Sequence, residues 1–231
     1  MDYGTISLDQ AEIRLREFVY GVYGWMAGGL ALTALIGMWI ANSPQALIFL
    51  AQNPWLIWVL FIAQLVMVIS IGVPSVSGTT STILYILYSA LTGVTLSGIF
   101  LVYTKTSIAL AFFSTAGMFG AMAIYGYTTK KDLTRMGQIL FMMLIGIVIA
   151  SLINLFFHSS TFEFIISILG VIVFSGLTAY DNQKIKQIAQ QTYSLDENAI
   201  QKFTVVGALA LYLDFLNLFL LLLRLLGSRR D

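Results

Sequence analysis

The run "LYLDFLNLFLLLLR", residues 211 to 224, places one carboxyl group, Asp214, among leucine and phenylalanine side chains. An ionised group in the middle of a hydrocarbon layer costs from a few to more than about 10 kcal/mol, so Asp214 must be protonated, paired or hydrated. A second acid, Asp181, lies in "GLTAYDNQKIK" at the end of the preceding apolar segment. Two carboxyl groups in a poorly hydrated site share a proton and titrate as a pair, and their oxygens also suit a hard cation such as Ca²⁺. Asp181 and Asp214 are therefore the candidate pH sensor and the candidate calcium contacts.

The residues around these two acids leave more than one interpretation open. Lys184 follows Asp181 by one helical turn, which is also the pattern of an interfacial carboxylate paired with a lysine. Asp214 belongs to a stripe whose spacing of three and four residues predicts a face turned toward other helices. For Arg224, near the far end of the same segment, we expect a side chain that reaches the lipid headgroups. The stripe consists of Gly207, Ala210, Asp214, Asn217 and Leu221.

The composition of the chain sets the class of protein that positions these acids. Of the 231 residues, 58% are hydrophobic and 10% are charged, and the interval 18–104 contains no Asp, Glu, Lys or Arg. A chain with so little charge cannot cover a soluble globule with polar surface. The absence of cysteine excludes disulfides and thiolate metal sites, and a net charge of +1 gives no indication of a nucleic-acid partner. The composition therefore indicates a membrane protein, with the lipid bilayer as its surroundings.

Seven apolar segments are long enough to cross the hydrocarbon core, which takes about 20 residues of helix. They cover roughly 18–41, 55–73, 80–102, 106–127, 136–157, 162–184 and 203–226. Pro44, Pro54 and Pro74 fall between segments, and the continuous apolar runs exclude the alternating pattern of a barrel. We predict an all-α membrane protein with seven transmembrane helices in a single domain, 1–231, in which residues 1–17 form a polar cytoplasmic amino-terminal tail.

Basic residues in the connections predict the orientation, because they concentrate on the cytoplasmic side. One face of the predicted bundle carries most of them, namely Arg14, Arg16, Lys130, Lys131, Arg135, Lys184, Lys186 and Lys202. The other face carries Lys105, Arg229 and Arg230. The majority favours a cytoplasmic amino terminus, and the two terminal arginines argue against it.

Several long motifs resemble a known family. "GLTAYDNQKIK" and "GALALYLDFLNLFLLLLRLLG" are similar to the two signature segments of the Bax inhibitor-1 (transmembrane Bax-inhibitor-motif) family. "VYGWMAGGLALTA", "LYSALTGVTLSGIF" and "GAMAIYGYTTKKDLT" resemble its bacterial branch, so that the resemblance runs over essentially the whole chain.

The resemblance implies a seven-helix bundle in which the last helix is central and six helices pack around it. It also implies a pH-sensitive calcium-leak channel in a bacterial cytoplasmic membrane, with the aspartates at the positions of Asp181 and Asp214 as the pH-sensing pair. Thr178, Tyr180 and Asn217 are candidates to support this pair. Some members place an arginine in the second helix that engages the pair, whereas the segment 55–73 has no basic residue and Gln64 as its one amide.

Other function classes remain as alternatives. An intramembrane aspartyl protease matches at Tyr180 and Asp181 but fails at Leu211 and Leu213, where that class needs glycine, so we expect no enzyme. A regulator of proteolysis or stress survival that binds membrane-protein partners stays open, and so does a proton-coupled exchanger. We expect no tightly bound cofactor, with Ca²⁺ as the permeant ion and protons as the signal. At the opposite face, His158 and Glu163 are too few for a metal site, although Glu163 is placed to attract cations to an entrance.

Overall fold

A computed structural model describes residues 8–192 and 195–228, and in this part of the chain the protein is helical with no strand. The helices are α1 (Leu8–Ala41), α2 (Pro44–Gln52), α3 (Trp55–Gly72), α4 (Gly78–Leu96), α5 (Ile99–Val102), α6 (Lys105–Thr128), α7 (Thr134–Phe157), α8 (Ser160–Ala189) and α9 (Glu197–Leu226). Seven spans are long and apolar enough to cross a membrane, and they match the seven predicted segments. The prediction of an all-α, multi-pass membrane protein is confirmed.

Part of the predicted polar amino-terminal tail is helical. Helix α1 begins at Leu8 and so includes residues 8–17, whereas the first seven residues lie outside the described part. An ion pair one turn apart, from Arg16 Nη2 to Glu12 Oε1 at 2.6 Å, contributes to this extension. A hydropathy average does not detect these helical residues, because charged side chains lower the mean hydropathy of the window without ending the helix.

Helices α8 and α9 also extend beyond their predicted ends, 184 and 203. Helix α8 continues to Ala189, and α9 already begins at Glu197. The start of α9 is capped by Asp196, whose Oδ1 accepts a hydrogen bond from Ala199 N at 2.6 Å. The charged connection between the two predicted spans is therefore mostly helix, and this extension places Asp181 two turns before the end of α8.

The three prolines lie outside the seven spans, as predicted, but one of them starts a helix. Pro44 is the first residue of the short helix α2, and Ser43 caps it by accepting a hydrogen bond from Ala46 N at 3.4 Å. Pro54 immediately precedes α3, and Pro74 lies in the connection between α3 and α4.

Helix α9 is the most buried of the spans: 72% of its most apolar window is buried, against 6% for α3 and none for α7. This agrees with an inner position for the last helix, whereas the arrangement of six helices around it stays a prediction. The predicted stripe describes part of the buried surface, because Gly207, Asp214 and Leu221 are buried. Ala210 and Asn217 are partly exposed, while Leu211, Tyr212 and Leu218, which lie off the stripe, are fully buried. A helix with protein neighbours on most sides has no single buried stripe.

The chain groups into two compact units. Unit 1 comprises residues 1–101 and 185–212, and unit 2 comprises residues 102–184 and 213–231. In unit 1, α1 and α4 approach closely at Gly93, where a Cβ would lie 2.7 Å from Thr33 O. In unit 2, α6 and α8 approach closely at Gly126, where a Cβ would meet the backbone of Ala179. The single domain stays a prediction.

Candidate proton-sensing site

The two aspartates singled out from the sequence meet within unit 2. The carboxyl groups of Asp181 on α8 and Asp214 on α9 lie close enough to interact with each other. Asp214 is buried, with 4% of its surface exposed, and Asp181 is half-buried. An ionised carboxylate has only acceptor atoms, so a hydrogen bond between two carboxyl groups requires that one of them carries a proton. The arrangement therefore suits a pair of carboxyl groups that shares one proton.

One oxygen of this pair is not satisfied. Among the described residues, no hydrogen-bond partner lies within reach of Asp214 Oδ2, which is buried. The next residue of α9, Phe215, adds an apolar wall, since its ring packs edge-on against Phe112 and Phe119 with centroids 5.6 Å apart in each case. A buried polar atom without a partner costs about 1–3 kcal/mol. Asp214 Oδ2 is thus a place where a water molecule, a proton or a cation gains an interaction.

The alternative partner, Lys184, is present but does not replace Asp214. Lys184 is exposed one turn after Asp181 and attracts its carboxyl group electrostatically. Asp181 therefore has a buried carboxyl neighbour, Asp214, and an exposed cationic neighbour, Lys184.

The three predicted supporting residues do not bind the pair directly. Thr178 is fully buried, and its hydroxyl donates to Phe174 O at 2.8 Å within α8. Asn217 Nδ2 donates to Leu213 O at 2.8 Å within α9. The ring of Tyr180 covers Gly137 of α7, where a Cβ would lie 2.5 Å from the ring. Their hydrogen bonds and contacts fix the helices that carry the pair.

Comparison with known proteins identifies the family. The model of the family "Inhibitor of apoptosis-promoting Bax1" matches residues 15–231. The chain belongs to the Bax inhibitor-1 family. It is 50% identical over 226 residues to the inner membrane protein YbhL of Escherichia coli, with 97% of each chain covered. It is also 45% identical to an uncharacterized protein of Borreliella burgdorferi, with 98% of each chain covered, and 40% identical to one of Rickettsia prowazekii, with 94% and 92% covered.

In this member of the Bax inhibitor-1 family, a residue that the sequence analysis missed ties the α6–α7 connection to α8. Gln183 is buried, with 8% exposed; its Oε1 accepts from Leu133 N and its Nε2 donates to Lys131 O, both at 2.8 Å. In the sequence, a glutamine next to Lys184 near the end of an apolar segment is expected to face solvent. The signal that could have found it is its spacing of three from Tyr180, which places both on one face of α8.

At the other ends of these helices, unit 2 contains a cavity of about 320 Å³ lined by Ser151, Asn154, His158, Glu163 and Arg224, among others. Arg224 Nε pairs with Glu163 Oε1 at 3.0 Å, and the expected reach of Arg224 to the lipid headgroups stays a prediction. His158 is exposed and ends α7 in the left-handed conformation, with φ 49°. Among the described residues, no group of three or more His, Cys, Asp or Glu side chains is placed to hold a metal ion.

Proposed function

We propose that this protein is a pH-sensitive calcium-leak channel of a bacterial inner membrane, gated by Asp181 and Asp214. The observation that carries the proposal is the buried carboxyl pair with its unsatisfied oxygen on Asp214. Membership of the Bax inhibitor-1 family supports it, and so does the similarity to a protein named an inner membrane protein. The proposal includes a cytoplasmic amino terminus, no catalytic reaction and no tightly bound cofactor.

The pair acts as a latch through its charge. With one shared proton, Asp181 and Asp214 hold each other and keep α8 against α9. When that proton leaves, two like charges face each other, and at a separation of about 4 Å they repel by roughly 4 kcal/mol at an effective dielectric constant of about 20. This energy is large enough to shift a closed–open equilibrium more than a hundredfold. Deprotonation therefore favours opening, and acid favours the closed state.

Calcium is proposed as the permeant ion and not as a resident ligand. Carboxylate oxygens suit Ca²⁺, but tight sites provide six to eight oxygens, and this pair provides at most four from two carboxyl groups. A site with few ligands binds weakly, which permits release on the far side. No arginine in the second span assists the latch, because residues 55–73 contain none. The one amide of this span, Gln64, donates to Thr92 Oγ1 of α4 at 3.1 Å within unit 1.

Calcium flux into dye-loaded proteoliposomes, measured between pH 5 and pH 8, tests the proposal. We expect flux that rises with pH in the wild type. Asp181→Asn and Asp214→Asn remove the charge change and should make the flux independent of pH. Asp196→Asn is the matched control, because Asp196 is an exposed cap of α9 whose role an asparagine preserves.

The outcomes separate the channel from its sensor. An absence of calcium flux at every pH in reconstituted, folded protein contradicts the channel. Flux whose pH response survives both substitutions contradicts the assignment of Asp181 and Asp214 while leaving a channel. A pH response that is lost equally in Asp196→Asn indicates a general effect of surface charge.

A further inference from the structure

One face of α8 packs closely against α7 and against the α6–α7 connection. Gly176, Tyr180 and Gln183 follow each other at spacings of four and three, so they line this face. A Cβ on Gly176 would lie 2.5 Å from Leu140 Cδ1, and the Tyr180 ring fills the space above Gly137. The end of the face is held by the two hydrogen bonds of Gln183 to Lys131 O and Leu133 N.

The position of Asp181 on α8 follows from this fit. At about 100° per residue, Tyr180 and Gln183 are separated by about 60° around the helix, whereas Asp181 lies about 160° from Gln183. Any rotation of α8 that releases Gln183 also turns the Asp181 carboxyl group relative to Asp214. The contact on one side of the helix thus fixes the direction of the carboxyl group on the other.

We infer that Gln183, together with Tyr180, is a positioning residue for the carboxyl pair: its amide clamps the α6–α7 connection to α8 and thereby holds Asp181 against Asp214. The amide suits this role because it donates and accepts at once and carries no charge next to the pair. The clamp is buried, and Leu133, which supplies one bond, is itself only 4% exposed. The role of the carboxyl pair in gating rests on the proposed function. The positioning of Asp181 by Gln183 is argued from the contacts of α7 and α8.

The following charged side chains lie around Gln183 and the carboxyl pair in the described part of the chain. On α8 they are Asp181 and the exposed Lys184, and on α9 the facing group is Asp214. The connection and the start of α7 contribute side chains that are all exposed, namely Lys130, Lys131, Asp132 and Arg135. Lys131 meets Gln183 through its backbone carbonyl. Replacing Gln183 by an apolar residue of similar length therefore leaves every one of these charges in place.

The test compares two pairs of substitutions. Gln183→Met removes both hydrogen bonds and keeps the length of the side chain, and Gln187→Met makes the same change at an exposed position one turn later on α8. Gly137→Ala forces the Tyr180 ring away, and Gly146→Ala adds the same methyl group on α7 where nothing lies within 4 Å. Two quantities are measured for each: the pH of half-maximal calcium flux, and the pH at which the infrared carboxylic C=O band of the pair disappears.

We expect Gln183→Met and Gly137→Ala to move both midpoints by at least about half a pH unit, a threefold change in proton affinity, while the two controls stay at the wild-type values. Infrared midpoints that do not move in either variant overturn the inference, because a clamp that positions the pair must alter its titration. If Gln183→Met does not fold, Gly137→Ala decides alone. Absent flux with shifted infrared midpoints would reject the channel and keep the positioning role.

Discussion

Two polar side chains of α9, two residues apart in the chain, have opposite surroundings. Tyr212 is fully buried in unit 1, and its hydroxyl is bonded to Thr33 Oγ1 at 2.6 Å, which in turn donates to Ser89 O at 2.8 Å. Its ring lies edge-on to the rings of Tyr85 and Tyr88, with centroids 5.8 Å apart in both cases. Asp214 is buried in unit 2 with one oxygen that has no partner among the described residues.

The difference separates a structural polar group from a responsive one. A buried network in which each hydroxyl has a partner fixes a single arrangement and loses energy with any change. A buried carboxyl group with an unsatisfied oxygen gains from a change of protonation or hydration. Burial alone therefore does not identify a functional residue, whereas the balance of donors and acceptors does.

The largest effect that this comparison predicts is on stability at Tyr212. Tyr212→Ala removes a fully buried ring and a hydrogen bond, and large-to-small changes of this kind cost about 3–5 kcal/mol. The unfolding free energy in mixed micelles is the measurement, with Tyr20→Ala as control, since Tyr20 is 72% exposed. A loss below about 1 kcal/mol would contradict a structural role for the Tyr212 cluster.

At Asp214 we expect the reverse result. Asp214→Asn keeps the size of the side chain and leaves one oxygen as unsatisfied as before, so the unfolding free energy should fall by clearly less than in Tyr212→Ala. The same variant should lose the pH response of flux. A loss of stability comparable to that of Tyr212→Ala would show that Asp214, like Tyr212, has a structural role, and would contradict the proposed difference between the two residues.

The smallest predicted effect is on the pH dependence of stability at Asp132, an exposed carboxylate whose hydrogen-bond donors are both present. Asp132 accepts hydrogen bonds from Thr134 Oγ1 at 2.6 Å and from Thr134 N at 2.9 Å, and these bonds hold the pKa of Asp132 below its usual value of 3.8. A lowered pKa in the folded state means a stabilising contribution that is present above pH 3.8 and lost as the pH falls through the lower, folded-state pKa. Thermal unfolding of wild type and Asp132→Asn should differ slightly at pH 6 and converge in acid. A difference that grows in acid would contradict this assignment.

The sequence predicted the spans because hydrocarbon selects long apolar runs, whatever the neighbours of each helix. It did not predict the charged first turns of α1 or the short helix α2, which an average over apolar residues does not detect. It also identified only part of the buried surface of α9, since hydropathy cannot distinguish a leucine facing lipid from the buried Leu218. Spacing alone left the partner of Asp181 open between Lys184 and Asp214.

The hydrogen bonds around the pair were the least predictable part. The clamp by Gln183 depends on where the backbone of Lys131 and Leu133 lies, some fifty residues earlier in the chain, and no local pattern encodes that distance. No local pattern predicts the ion pair of Arg224 with Glu163 either, because it joins the end of α9 to the start of α8. Contacts between helices arise from packing, which a single sequence does not determine by inspection.

Helix α3 has a mechanical consequence for unit 1. Its 18 residues measure about 27 Å, slightly less than the roughly 30 Å thickness of a hydrocarbon core, and only 6% of its apolar window is buried. A bilayer with longer acyl chains must therefore thin around α3 or draw its ends inward. The connection after α3 is tied to α9, because Lys202 Nζ donates to Val73 O and, at 2.7 Å, to Val76 O. Membrane thickness thus exerts a force on α3 that the Lys202 side chain transmits to the first turns of α9.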